Sequence, residues 1–100
     1  MKYELTTECI QHQGKTLYLI RALKDFGSIK AGSYGGYLES ESNLSQEGNC
    51  WVCPDAMVSG NARVCGDAWV SGNAWVCGNA MVYGNARVFG DAELLSGEVM

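Results

Sequence analysis

The sequence predicts an all-β protein, in which a short parallel β-helix with about 18 residues per coil follows an antiparallel β cap. The second half of the chain repeats every six residues, with valine, alanine and glycine at fixed positions, and the first half has strand-like segments without that period. We divide this one folding unit into a β-hairpin cap at 1–46, a hexapeptide-repeat β-helix at 47–94 and a C-terminal tail at 95–100.

The cap is predicted from strand-like segments joined by turns. Tyr3–Thr6 and Thr16–Leu23 are apolar enough to form strands, and Gln13-Gly14 suits a turn between them. A second, bent strand pair is expected between residues 29 and 38, where glycines recur. A β-helix needs such a cover, because its terminal strands would otherwise expose unpaired backbone groups.

The repeat consists of hexads that run without a gap from residue 47: EGNCWV, CPDAMV, SGNARV, CGDAWV, SGNAWV, CGNAMV, YGNARV and FGDAEL. This period excludes an amphipathic helix, whose apolar face recurs every 3.6 residues. Alanine dominates the fourth position and valine the sixth, and residues two apart point to the same side of a strand. We expect these small apolar residues to fill a three-walled tube with Gly-Asn and Gly-Asp corners.

The fifth position of each hexad points outward and carries large or charged side chains. Because three hexads complete a coil, this position stacks in three rows on the three walls. Tryptophan, methionine and arginine are enriched in protein interfaces, so the rows predict a protein-interaction surface. The candidate interaction residues are Trp51, Trp69 and Arg87 on the first wall, Met57 and Trp75 on the second, and Arg63 and Met81 on the third.

The C-terminal segment is apolar and has no cover like that at the N-terminus. We expect Leu94, Leu95, Val99 and Met100 to stack on another copy of the chain. The chain is therefore predicted to be a homo-oligomer. An end-to-end dimer through the last coil and a side-by-side trimer through the tryptophan rows both fit this prediction.

Composition and charge argue against several kinds of partner. The net charge is −4, and no basic stripe is present, which argues against nucleic-acid binding. No segment approaches the roughly 18–20 apolar residues of a membrane span, and the first ten residues do not resemble a signal peptide. Five cysteines, an odd number, indicate reduced thiols and a cytoplasmic protein.

A family resemblance rests on IKAGSYGGYLESESNLSQEGNCWV, residues 29–52, and on the GNARV-type hexads that follow. These segments resemble the YdcK-like hexapeptide-repeat proteins of bacteria and phages. The resemblance implies that the coil is left-handed. Relatives are often labelled transferases without an assigned reaction, and a phage origin would suit an inhibitor or adaptor of a host protein.

The side chains offer little for catalysis. Acyltransferases of this fold generally use a histidine base, and zinc enzymes of the fold use three histidines. The lone histidine, His12, is expected in the exposed hairpin turn outside the repeat. Cys50 and Cys53 form a CxxC, a pattern found in metal sites. Cys53, Cys65 and Cys77, however, should lie at different corners of the tube, so they cannot bind one metal ion. We predict no catalytic, cofactor or metal residues.

The predicted function is a non-catalytic protein-binding or assembly module rather than an enzyme. The alternative is an acyltransferase-like or CoA-binding hexapeptide-repeat enzyme, which would need a cleft between subunits and a base other than histidine. Calorimetry with acetyl-CoA distinguishes the two.

Overall fold

The computed structural model describes residues 1–100 and confirms the all-β fold. Its first strands are β1 (Tyr3–His12), β2 (Lys15–Ala22) and β3 (Tyr34–Leu38), followed by a 3-10 turn at Glu41–Asn43. No helical segment is long and apolar enough to cross a bilayer. Nine two-residue strands follow: β4 (Trp51–Val52), β5 (Met57–Val58), β6 (Arg63–Val64), β7 (Trp69–Val70), β8 (Trp75–Val76), β9 (Met81–Val82), β10 (Arg87–Val88), β11 (Glu93–Leu94) and β12 (Glu98–Val99).

The short strands stack into the three walls of a tube. Wall 1 contains β4, β7 and β10, wall 2 contains β3, β5, β8 and β11, and wall 3 contains β6, β9 and β12. Strands within a wall are parallel, and Trp51 of β4 pairs with Trp69 of β7. These partners are 18 residues apart, so the predicted coil length is confirmed.

The interior of the tube is lined by the valines and alanines of the hexads. The six valines from Val52 to Val82 are at most 1% exposed, and the alanines between them are equally buried. Each buried valine contributes about 1.5–3 kcal/mol. Hydrogen bonds join successive coils, as when the Trp51 N–H donates to the Ala68 carbonyl over 3.1 Å. The predicted inward positions are confirmed.

The corners depend on residues with positive φ. Gly60 has a φ of 65°, and the glycines of the later hexads have similar values. Where Pro54 replaces the glycine, the following residue, Asp55, takes a φ of 76° instead. Proline fixes φ near −65°, so the left-handed residue moves one position along the chain.

The cap is an antiparallel sheet that continues into wall 2. β1 pairs with β2 through a tight turn at Gln13 and Gly14, whose φ values are 54° and 78°. β2 pairs antiparallel with β3, and β3 pairs parallel with β5. The result is one six-stranded sheet in the order β1-β2-β3-β5-β8-β11.

The parallel walls extend upstream of the predicted 47–94 range. Leu38 pairs with Val58, and Leu44 forms a bridge to Val64. Both leucines are fully buried and occupy the place that valine holds in later coils. The first coil therefore begins before residue 47, although its residues lack the Gly-Asn-Ala signature.

The segment predicted as a C-terminal tail at 95–100 is also part of a wall. Its strand β12 pairs with β9, with Val99 opposite Val82. These two residues are 17 apart rather than 18, because the last corner, which contains Gly97 at a φ of 86°, is one residue shorter. With both extensions, the solenoid has about four coils instead of the two and two-thirds that eight hexads make.

Candidate functional site

The outward rows lie on the walls as predicted. On wall 1, Trp51 pairs with Trp69, which pairs with Arg87. On wall 2, Met57 pairs with Trp75, which pairs with Glu93. On wall 3, Arg63 pairs with Met81. The stacking is therefore confirmed, but the exposure of the rows differs from the prediction.

Trp51 is not available to a partner, which corrects its predicted place on the interaction surface. Its exposed fraction is 1%. The cap covers it, with the Tyr3 ring centroid 6.4 Å away and the Phe26 ring centroid 5.3 Å away, both edge-on. The first tryptophan of wall 1 is thus a core residue that anchors the cap.

Trp75 is partly covered by the tip of the cap hairpin. His12 packs edge-on against it with a centroid distance of 4.6 Å, and the Trp75 Nε1–H donates to Ser59 Oγ over 3.3 Å. His12 was expected in an exposed turn. It is instead the half-buried last residue of β1, and its Nε2 is buried without a hydrogen-bond partner.

None of the remaining candidate residues is fully buried. Arg63 and Arg87 are exposed, whereas Trp69, Met57 and Met81 are half-buried. At the C-terminal end, Leu95 and Met100 are exposed, and Leu94 and Val99 are half-buried. Their role in protein contacts or end stacking stays a prediction.

The largest groove runs along wall 1 below the cap, with a volume of about 560 Å³. We call it the Trp69–Arg87 groove. Wall 1 supplies its aromatic ring and its guanidinium, one corner of the tube supplies polar side chains, and a cap loop forms its upper edge. The lining residues are Gly27, Ser28, Asn49, Asp67, Trp69, Asn85 and Arg87.

The groove combines an aromatic ring, a free cation and a carboxylate. Arg87 is exposed and takes part in none of the ion pairs of the structure. The Asp67 Oδ1 accepts a hydrogen bond from the Asn49 N–H over 3.2 Å, which fixes that carboxylate at the corner. Asn49, Asp67 and Asn85 are one coil apart, so they align along this corner. Sequence reasoning treated them only as turn formers.

A second polar cluster is buried under the cap, around Lys2 and Cys50. Lys2 is 1% exposed, and its Nζ donates to the carbonyls of Cys50 and Gly48 over 2.8 and 3.3 Å. Nζ also lies 3.3 Å from Cys50 Sγ and 4.9 Å from the Phe26 ring centroid. Burial lowers the pKa of Lys2 and raises that of Cys50, and their mutual interaction opposes both shifts.

Tyr3 is buried in the same cap. Its hydroxyl lies 2.5 Å from the Leu44 carbonyl oxygen, to which it donates. Burial, followed by the charge of Glu41, raises the pKa of this phenol above its ordinary 10.0. The folded state therefore favours the neutral phenol. The stabilisation that Tyr3 contributes is fully present below about pH 10 and is lost as the pH rises above that value.

We expect the free energy of unfolding to fall above about pH 10, and to fall less steeply in Tyr3→Phe than in the wild type. Urea unfolding at a series of alkaline pH values measures both slopes. Tyr18→Phe is the control, since Tyr18 is only half-buried. Parallel slopes for the wild type and Tyr3→Phe would show that Tyr3 ionises freely in the folded chain.

Comparison with known proteins concerns the repeat segment. The model of the YdcK β-solenoid repeat matches residues 56–72, 62–78 and 74–88. Together these matches cover residues 56–88, about a third of the chain. The predicted resemblance to YdcK-like proteins is therefore confirmed. A protein of Escherichia coli K12 named as an uncharacterized acetyltransferase, YdcK, is 48% identical over 33 residues, which are 33% of this chain and 10% of the E. coli protein.

The YdcK comparison overturns the predicted function. A non-catalytic binding or assembly module was expected, but the named relative is called an acetyltransferase. The prediction was wrong because it gave most weight to the missing histidine and the outward tryptophans. The comparison supports the alternative, an acyltransferase-like or CoA-binding protein, and it also weighs against the prediction that the chain is not an enzyme.

The hexads carry no histidine, and His12 of the cap does not line the Trp69–Arg87 groove. The CxxC is split by its burial, with Cys50 inside the tube and Cys53 half-buried at a corner. All five cysteines are free, and no group of three His, Cys, Asp or Glu side chains is close enough to hold a metal. Among the residues that line the groove, Asp67 is the one with a carboxylate that can accept a proton.

Proposed function

We propose that the chain is an acyltransferase-like, CoA-binding hexapeptide-repeat protein whose ligand lies in the Trp69–Arg87 groove. Two observations support the proposal. The partial relative carries the name acetyltransferase, and the groove places an unpaired guanidinium beside an aromatic ring. The geometry of the groove is the observation on which the choice of ligand-binding residues rests, because the chain covers only a tenth of that relative.

Arg87 suits the phosphate groups of CoA. A guanidinium donates parallel hydrogen bonds to two oxygens of one phosphate, and it remains charged at every relevant pH. Arg87 is exposed and has no carboxylate partner to displace. Arg87 is the one cationic side chain that lines the groove, so it is the contact that the groove offers to an anionic ligand.

Trp69 suits the adenine ring. It is half-buried and packs against the core on one side, so its ring is held in place. Stacking of a base on an aromatic side chain contributes about 1–3 kcal/mol. The amides of Asn49 and Asn85 and the hydroxyl of Ser28 line the same groove and offer hydrogen bonds to the polar parts of the ligand.

Asp67 is the candidate general base. In acetyl transfer, the acceptor nucleophile attacks the thioester carbonyl, the CoA thiolate leaves, and the acceptor loses a proton to a base. Asp67 is the one carboxylate that lines the groove. Its Oδ1 accepts the Asn49 N–H, and the carboxylate is solvent-exposed and open to an acceptor.

We expect acetyl-CoA to bind with micromolar affinity and Arg87→Gln to weaken that binding at least about tenfold, the effect of one charge-assisted hydrogen bond. Isothermal titration calorimetry measures both. Arg63→Gln is a matched control, because Arg63 occupies the same place in an identical GNARV segment on wall 3 and is equally exposed. No heat from the wild type, or equal losses in the two variants, would refute the proposal.

A further inference from the structure

We propose that Lys2 and Cys50 form an oxidative N–O–S cross-link, in which one oxygen atom joins Nζ to Sγ and locks the cap onto the first coil. This modification site lies outside the Trp69–Arg87 groove and does not depend on CoA binding.

The geometry places the two reacting atoms together and keeps other groups away. Nζ lies 3.3 Å from Sγ, close enough for a single bridging atom after a small approach. Lys2 is 1% exposed and Cys50 is 0% exposed. The carbonyls of Cys50, Gly48 and Glu47 hold the lysine head at 2.8, 3.3 and 3.5 Å. The pair is therefore preorganised and shielded from competing thiols.

The sequence has a cysteine, Cys50, at the inward position that the Lys2 side chain contacts. The inward fourth position is alanine in every hexad except the first, which has Cys50. Alanine would fill this position as it does in the other coils, so packing alone does not require a thiol. The one inward thiol of the repeat is the one that contacts the buried amine.

The reaction balances with dioxygen as the oxidant. The amine of Lys2, the thiol of Cys50 and one dioxygen give the N–O–S bridge and one water. An N–O and an O–S bond form, the O–O bond and one N–H and the S–H bond break, and the two hydrogens leave in the water. Nitrogen and sulfur are oxidised while dioxygen is reduced. Burial favours the neutral amine of Lys2, which is the form that reacts.

The cross-link would tie residue 2 to residue 50 and so constrain the unfolded chain, as a disulfide does. It would also prevent the first strand of the cap from leaving the tube while the link is intact. Four electrons, supplied by two molecules of dithiothreitol, break both the O–S and the N–O bond and return the amine of Lys2, the thiol of Cys50 and one water, so the cross-link is reversible.

Mass spectrometry of the intact chain tests the proposal after purification under reductant and exposure to air. Cys9, Cys53, Cys65 and Cys77 are first replaced by serine, which the repeat already carries at Ser59 and Ser71 in the hexad position of the last three. We expect the mass to increase by one oxygen and decrease by two hydrogens. Dithiothreitol should reverse the change, and tryptic peptides should show residue 2 joined to residue 50.

Two further variants serve as controls. Cys50→Ala restores the alanine of the other hexads, so it should fold, and it should show no change in mass. Lys2→Arg keeps the cation but removes the primary amine, and it should also remain unmodified. An unchanged mass in the parent, a gain of oxygen without the loss of hydrogens, or the same product in Cys50→Ala would overturn the proposal.

Discussion

Replacing Trp51 by alanine is expected to lower the free energy of unfolding by about 3–5 kcal/mol, the cost of deleting a fully buried aromatic side chain. The indole fills the space between the first coil and the cap, against Tyr3 and Phe26. A domain of this size is stable by only about 5–15 kcal/mol, so the variant should be close to unfolding at room temperature. Urea denaturation followed by circular dichroism measures the change.

Trp69→Ala is the matched control, because Trp69 has the same hexad position on the same wall, one coil further along. It is half-buried, and its loss should cost about 1 kcal/mol. If the two variants lost equal stability, the cap would not shield Trp51 in solution. A Trp51 variant as stable as the wild type would imply that Trp51 is exposed, as the sequence analysis expected.

Replacing Gly36 by alanine should cost at least about 3 kcal/mol, because the added methyl group has no space. A Cβ there would lie 2.5 Å from the Cys53 carbonyl oxygen, closer still to that of Ala56, and 2.8 Å from Val52 Cγ1. Two of these neighbours are backbone atoms, which cannot turn aside. We expect β3 to separate from wall 2, and thermal unfolding should show a much lower midpoint.

Gly14→Ala distinguishes this steric effect from backbone strain. Gly14 has a φ of 78° and nothing within 4 Å of its added Cβ, whereas Gly36 is not among the glycines with positive φ. Alanine at position 14 should therefore cost about 1–2 kcal/mol through strain alone. A greater loss at position 14 than at position 36 would contradict the close approach of β3 to the first coil.

The tube itself could be predicted from the sequence, because its physics is periodic. Each wall needs an inward small residue, an inward branched aliphatic residue and a bend, and each hexad supplies this pattern. The coil length and the stacking of Trp51 on Trp69 follow from that period alone. The parallel walls at Leu38 and Leu44 have an inward leucine but lack the Gly-Asn-Ala signature of the hexads, so the six-residue period is not visible there.

The burial of Trp51 and the position of Lys2 could not be predicted, since both depend on the cap. Trp51 is covered by Tyr3 and Phe26 of the cap. These two residues lie far from Trp51 in sequence and belong to no repeat. The packing of His12 on Trp75 likewise depends on where the hairpin tip folds. Long-range contacts of single residues leave no periodic trace.

The candidate site was predictable only in part. Trp69 and Arg87 were expected on one face because their positions are 18 residues apart, and this holds. The corner residues Asn49, Asp67 and Asn85 have the same spacing, but turn formation alone explains their residue types. Their role in the Trp69–Arg87 groove appears only when the cap loop encloses the upper end.

The sheet that runs from the hairpin through β3 into wall 2 has a mechanical consequence. A cap that merely rested on the tube could lift away as an independent flap. Here each strand of the six-stranded sheet is hydrogen-bonded to its neighbour, so detaching the hairpin means breaking hydrogen bonds of a sheet that also includes strands of the coils. The protein should consequently unfold in a single cooperative transition, and a destabilising substitution in either the cap or the coils should lower the unfolding midpoint of both.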